Sequence, residues 1–525
     1  TWCPECRLIR SLVWRNEHSL FRRPNAEKGK KDLIISVFHP DAEIKTYDKK
    51  MWWSDKWDSC DYGKDYDFNK PFFEQFKELL EEVPHIALSD SKSVDSRFCN
   101  ITVEMKNCYL VTAGWACEDS MYCNRVSDCK FTCDSYVCYS TEFGYENIYC
   151  RDSNKLFFSR ESEGCLDSYF LYDCRNCSDC ILCTNLRNKN YCIKNIQYSK
   201  EEYLKKKNEL ALNTRNSIEQ AKYEFQKLWE NALHKHLKLI NTTNVIGDHV
   251  MDSRNCFNVF DLDGEFQNVK YANWGSRGLS DAYDVGPGCG GKSELTYEGI
   301  SIGVNNSRCS LGAIIWDSSE ILYSFMVNNC QNCFGCTEMN GKKYCILNKQ
   351  YTKKEYEKLL PKIKQHMLDM PYVDKKGRIY KYGEFFPSEI SPFSYNETVA
   401  QDYFPINEKI AGEKGYLWRE HVSGSYKATI KGKDLSQTIS EVNDSILDQV
   451  IECRITSKPF KIIEQELNFY RRFDLPLPSV CPEERHNRRL KLRNPMILNK
   501  RECFLCKKEV DTTYLNESKG GPKKV

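Results

Sequence analysis

The chain has 525 residues, 41% of them hydrophobic and 29% charged, with a formal net charge of +2. That length calls for roughly three to five structural units, and the near-neutral balance confines any attraction to nucleic acid to local patches. No apolar run approaches the roughly eighteen residues of a membrane-spanning helix, so no membrane partner is expected.

The 28 cysteines fit either disulfides in an oxidising setting or thiol–metal sites in a reducing one. Their Cys-x-x-Cys spacings favour reduced, zinc-bound thiols and the cytoplasm; disulfides would instead mean a secreted or surface-exposed protein. The chain begins at Thr1, so a processed or trimmed start is expected.

Residues 1–60 read as a zinc-ribbon-like module. Cys3-Pro4-Glu5-Cys6-Arg7 opens it, and Cys3-x-x-Cys6 offers two ligands from one tight turn. His18, His39 and Cys60 are the residues able to complete a site; otherwise the module folds without metal. Residues 1–31 hold eight Lys or Arg against three Asp or Glu.

Residues 61–196 read as a first Cys-rich, β-solenoid-like half with a leading helix. Asn107, Asp128, Asn147 and Asp167 recur at steps near twenty residues, between β-prone runs rich in Tyr, Phe and Cys. Core packing is the expected role of Cys108, Cys129 and Cys165 in such coils. Cys177, Cys180, Cys183 and Cys192 form a set able to take zinc or an iron–sulfur cluster. Against this, alternate residues of a strand face opposite ways, so ligands at every third position would diverge.

Residues 197–244 read as a helical connector. Ser199 and Glu202 have capping-box spacing, and Ile218, Ala221, Phe225, Trp229, Leu233, Leu237 and Ile240 follow a helical stripe. Residues 245–350 read as a second Cys-rich β-solenoid-like half, with a looser Asx series at Asn255, Asp281, Asn306 and Asn329. Its Cys330, Cys333, Cys336 and Cys345 align without a gap on the Cys177 set, and the alignment continues to a second capping box at Thr352 and Glu355. Gly286 to Ser293, including Gly291 and Lys292, satisfies the phosphate-loop pattern. That pattern requires a helix after it, whereas residues 294–303 read as a strand, so a Gly-rich turn is the expected form.

Residues 351–433 read as a helix and an ordered linker with aromatic anchors, from Gly383-Glu384-Phe385-Phe386-Pro387 to Phe404-Pro405. Residues 434–525 read as a helix near Phe460–Phe473 followed by a second ribbon-like module. There Cys481, Cys503 and Cys506 are three candidate zinc ligands, with Glu484 or His486 as the fourth; a degenerate site is the alternative. Cys481-Pro-Glu-Glu-Arg485 aligns with Cys3-Pro-Glu-Cys-Arg7, and the match runs gap-free to Arg501 and Arg23.

Residues 481–525 hold twelve Lys or Arg against six Asp or Glu. Arg7, Arg10 and Arg15, with Arg485, Arg488, Arg489, Arg493 and Arg501, are the candidate phosphate contacts. Trp14 could stack on a base, although Leu492 stands at the aligned position.

Four stretches carry a resemblance: Cys3-Pro-Glu-Cys-Arg, Trp52-Trp-Ser-Asp-Lys-Trp57, Phe72-Phe-Glu-Gln-Phe76, and Leu475-Pro-Leu-Pro478 before Cys481. The chain resembles uncharacterised Cys-rich zinc-ribbon proteins of ultra-small bacteria with reduced genomes, a family without an assigned function. The resemblance implies two Cys pairs in each terminal ribbon. This chain departs from it, lacking the second N-terminal pair and carrying Glu484 in place of a Cys.

The expected fold is mixed and β-rich: two β-solenoid-like halves, bracing helices, and zinc-ribbon or treble-clef-like modules at both termini. No His-Glu-x-x-His pattern or nucleophile elbow is present, so a non-enzymatic role is expected. The leading expectation is a zinc protein that binds nucleic acid, structured RNA above all, through its basic ends. The rival is an assembly scaffold that self-associates through its related ends, and a nucleotide-binding protein comes third.

Overall fold

From Lys92 to Lys194 every third residue has a left-handed backbone, with φ between 45° and 64°. Such a residue turns the chain, so three residues make one side. Four sides close a turn of twelve. Accordingly Asn100 pairs with Thr112, Thr112 with Asn124, Asn124 with Tyr136, Leu166 with Ser178 and Ser178 with Asn190, always in parallel.

Left-handed backbone costs an ordinary residue about 1–2 kcal/mol, and Asp and Asn tolerate it best. They hold many corners here, including Asp95, Asn107, Asp119, Asp128, Asp134 and Asp152. Hydrogen bonds between successive turns, such as Met121 N to Thr132 O at 2.9 Å, offset the cost. The true Asx step is therefore twelve with a subperiod of three, not twenty. Asn147 is not a corner at all: it is buried, and its Nδ2 donates to Leu156 O at 2.6 Å.

The subperiod of three also selects the interior. Cys99, Cys108, Cys117, Cys123, Cys129, Cys138, Cys150, Cys165, Cys174, Cys177, Cys180, Cys183 and Cys192 all lie multiples of three apart, and all are buried. Ser120, Thr132, Ser159 and Leu171 share their frame. In this narrow interior a thiol donates to a carbonyl nine residues on, as from Cys123 to Thr132 O at 3.4 Å and from Cys129 to Cys138 O at 3.4 Å. The Thr132 hydroxyl makes the same bond to Thr141 O at 3.0 Å. Cys, Ser and Thr are thus interchangeable here: small, and able to satisfy one carbonyl.

The second ladder, Thr243 to Ile346, is also parallel. Its wider turns bury Val250, Val259, Leu262, Val269 and Leu279, and its last turns settle to a step of twelve, from Ser307 to Ser319 to Gln331 to Lys343. Both ladders end in an antiparallel pair, Cys192 with Gln197 and Cys345 with Gln350. Each then passes into a helix whose capping box forms, at Ser199/Glu202 and Thr352/Glu355.

The connector contains two helices, Lys200–Glu209 and Arg215–Asn231. Ile218, Ala221, Phe225 and Trp229 of the second are buried, with Phe225 against Phe170 at 5.8 Å between ring centroids. The helical stripe stops at Asn231, so Leu233, Leu237 and Ile240 fall outside it. In the linker, Phe385, Phe386, Phe393 and Tyr395 are buried anchors. The helix expected near Phe460–Phe473 spans Glu464–Arg472.

This computed structural model describes residues 2–420 and 426–525; residues 421–425 of the linker lie outside the described residues. The chain forms two units, each assembled from separated stretches. The first comprises Thr1–Ser89, Leu237–Glu420 and Met496–Leu498, and the second Asp90–His236, His421–Pro495 and Asn499–Val525. Among the described residues no helix is long and apolar enough to cross a membrane.

Candidate metal and anion sites

Because every third residue turns inward, thiols at that spacing all face the interior, where a plain strand would point them to alternate faces. In the second unit Cys174, Cys177, Cys180 and Cys183 take the four inward positions of one turn, each directly after a left-handed corner. Cys192 stacks on Cys180 in register. The thiols of Cys165, Cys174 and Cys180 hydrogen-bond to Cys177 and hold its pKa below the ordinary thiol range. In the first unit Cys330, Cys333 and Cys336 take three inward positions of a turn and Met339 the fourth. Cys345 stacks on Cys333, and Cys60 reaches Cys345.

Tetrahedral zinc–thiolate bonds of 2.3 Å place the sulfurs about 3.8 Å apart. No three of these thiols lie within 4.8 Å of one another. Each ring is therefore a chain of pairwise thiol contacts, without a ready tetrahedron. Burial also raises the isolated interior thiols, Cys108 to about 11, which suits packing better than ligation.

The terminal cysteines pair differently from the sequence expectation. Cys481 caps the Pro482–Leu490 helix, and its neighbours are Cys453 and Thr456, not Cys503 and Cys506. Cys481 N donates to Cys453 Sγ at 3.3 Å, and Thr456 Oγ1 lies 3.6 Å from Cys481 Sγ. Cys453 and Thr456 belong to the turn of a short hairpin, Ile451–Glu452 with Pro459–Phe460.

Cys503 and Cys506 occupy the same kind of turn between Asn499–Glu502 and Glu509–Thr512. In both turns the first Cys N–H bonds the carbonyl five residues on, Lys458 at 2.9 Å and Lys508 at 2.8 Å. In both, the fifth residue, Ser457 or Lys507, is left-handed. The signal missed in the sequence was the match of Glu452-Cys-Arg-Ile-Thr456 to Glu502-Cys-Phe-Leu-Cys506. Glu484 Oε1 accepts from Arg488 Nε at 3.0 Å.

At the other end Cys6 N donates to Cys3 Sγ at 3.4 Å and both thiols are exposed. The proposed completing residues are engaged elsewhere. His18 lies 3.6 Å from Asp402, His39 packs on Phe21, and Cys60 faces Cys345.

Most of the duplicated arginines face inward. Arg7 bonds Asp284 and sits 4.8 Å over Tyr271, and Arg10 reaches Glu298 at 2.8 Å. Arg15 is buried against Glu17 at 2.7 Å, Pro287 O at 3.2 Å and Ser301. Arg485 meets Asp134 at 2.5 Å and Glu466 at 3.1 Å, and Arg489 meets the other Asp134 oxygen at 2.7 Å. Asp284, Glu298 and Asp134 are all left-handed ladder corners, whose side chains reach the helices. Arg493 donates to Leu490 O at 3.2 Å, and Arg501 to Leu515 O and Pro522 O. Trp14 is buried against Phe386 and Phe325, so it does not offer a stacking face.

The Gly286–Ser293 loop leads into the strand Ser293–Ile302, so no helix follows Gly286, Gly291, Lys292 and Ser293 as the phosphate-binding pattern requires. Instead the loop wraps Arg15. Gly288 has φ +83°, and a Cβ there would meet Arg15 Nη1 at 2.7 Å.

Recesses flank both aligned helices. Beside Pro4–Leu12, Trp2, Arg7, Arg10, Tyr283, Tyr297, Glu298 and Glu384 line an open groove of about 400 Å³. Beside Pro482–Leu490 lies a smaller cavity of about 100 Å³, lined by Arg215, Lys222, Arg454, Arg485, Arg488 and Arg489 together with Glu146 and Glu219. Compared with protein-family models, curated proteins and solved structures, the chain finds no match.

Proposed function

We propose that the protein is a non-enzymatic binding protein whose two ladders act as β-solenoid-like bodies, and that its C-terminal zinc-ribbon-like module contacts nucleic acid, structured RNA in preference. The observation that carries this reading is the Cys503–Cys506 turn. It exposes Phe504 (47%) and Leu505 (87%), with the ammonium groups of Lys507 and Lys524 5.5 and 5.6 Å from the Phe504 ring. An exposed aromatic ring between cations suits an unstacked base and its flanking phosphates. Zinc is not needed for this contact: Cys503 and Cys506 supply two thiols, and among the described residues no third ligand atom lies with them. The inward-facing arginines are not needed for this contact.

Fluorescence anisotropy with a labelled RNA hairpin carrying a single-stranded loop tests the reading. Phe504→Ala should weaken binding by about 1–3 kcal/mol. Lys507→Ala with Lys524→Ala should reduce the salt slope by about two. Binding that is absent, or indifferent to salt, would sink the proposal.

A further inference from the structure

We infer that the second unit binds a small tetrahedral oxyanion of the phosphate class in the cavity beside the Pro482–Leu490 helix. This does not rest on the RNA reading, whose residues lie on the Asn499–Thr512 hairpin and at Lys524.

The cavity's charge is the first argument. Six cationic side chains line it against two carboxylates. Asp134, Glu466 and Glu484 pair with Arg485, Arg489 and Arg488. Lys222 is held by Glu146 at 2.7 Å. Among the described residues Arg454 finds only a distant Glu219, at 3.9 Å.

Among the described residues no carboxylate lies within ion-pair distance of Arg215, and Glu219 acts on it only from farther away. Arg215 is 9% exposed and donates only to the backbone oxygens of Leu435, Ser436 and Leu477, at 2.9, 2.8 and 3.3 Å. Burial, then the nearby Arg454, holds its pKa below the usual guanidinium range.

Unmet donors are the second argument. The Nε atoms of Arg215, Arg485 and Arg489 are buried and find no acceptor among the described residues. Guanidinium N–H groups match the oxygens of a phosphate, several donors to one anion. The size agrees: a water needs about 10–15 Å³ by this measure, so about 100 Å³ holds one such anion with a few waters.

The aligned helix of the first unit gives the contrast. Arg10 there has the ladder's own Glu298 at 2.8 Å, with Asp284 at 3.9 Å. Arg488, at the matching position, has only Glu484 of its own helix. The ladder supplies acids in one case and leaves an opening in the other.

Titration calorimetry and thermal unfolding of the full chain with inorganic phosphate provide the test, against sodium chloride of equal ionic strength. Phosphate should bind one site and raise the unfolding midpoint of the second unit. Arg454→Gln and Arg488→Gln should each weaken binding at least tenfold. Both side chains are more than one-third exposed, so both variants should keep the native circular dichroism spectrum. Chloride matching phosphate, or both folded variants binding phosphate as the native chain does, would overturn the inference. A 5′-phosphorylated oligonucleotide binding more tightly than its dephosphorylated twin would assign the anion to a nucleic-acid end. Equal binding would assign it to free phosphate.

Discussion

Arg485 Nη1 lies 2.5 Å from Asp134 Oδ2, and both side chains are almost wholly buried, across 351 residues of sequence. The other Asp134 oxygen holds Arg489 at 2.7 Å. One carboxylate at a ladder corner thus fixes two turns of the Pro482–Leu490 helix. Removing one partner of a buried pair leaves an uncompensated charge, at a cost of about 3–5 kcal/mol. Asp134→Ala should lower the denaturant stability of the second unit by that amount, whereas Lys491→Ala, just past the end of that helix, should change it by less than about 0.5 kcal/mol.

His234 should make the second unit acid-sensitive. Its ring is buried, Nε2 donates to Trp229 O at 2.7 Å, and Nδ1 accepts from the Tyr172 hydroxyl at 2.6 Å. Burial lowers its pKa from 6.5 to about 4. The folded state therefore binds its proton more weakly than the unfolded chain does. This contribution is fully present above pH 6.5 and is lost as pH falls toward 4. The loss should reach about 3 kcal/mol, and His234→Gln should flatten that limb of an unfolding–pH profile.

The interior thiols should tolerate hydroxyls. Cys129→Ser keeps a donor for Cys138 O, as Thr132 already does for Thr141 O, and should cost less than about 1.5 kcal/mol. Cys129→Leu must fit a larger side chain into the same turn and should cost about 1–3 kcal/mol. Chemical denaturation of the two variants provides the comparison.

Thiol labelling should divide the cysteines by location. Cys3, Cys6 and Cys506 are exposed, and the backbone N–H groups of Cys506 and Leu505 lower the Cys503 pKa. These four should react fast under native conditions and the buried interior thiols only after unfolding. Zinc should slow alkylation of Cys503 and Cys506; no change in their rate would argue against ligation there.

Gly288→Ala should destabilise the first unit by about 1–3 kcal/mol, because a left-handed φ and the Arg15 contact both oppose a Cβ. Lys292→Ala should leave the unfolding midpoint unchanged, with or without magnesium and ATP, since the loop leads into a strand.

The sequence alone determined the features that depend on neighbours along the chain. The two alignments, the capping boxes at Ser199 and Thr352, the β-rich character and the aromatic anchors Phe385 and Phe386 were legible because local propensity and spacing carry them. Only the tertiary structure decided the rest. The ladder's period was hidden because any small residue suits an inward position, so Cys alternates with Ser, Thr and Val and no one residue type marks the step. The partner of Cys481 and the acids facing Arg7 and Arg485 were hidden for a related reason. Each lies on an element far away in sequence, and its contact exists only once the twelve-residue turns have stacked and brought a corner carboxylate against a helix.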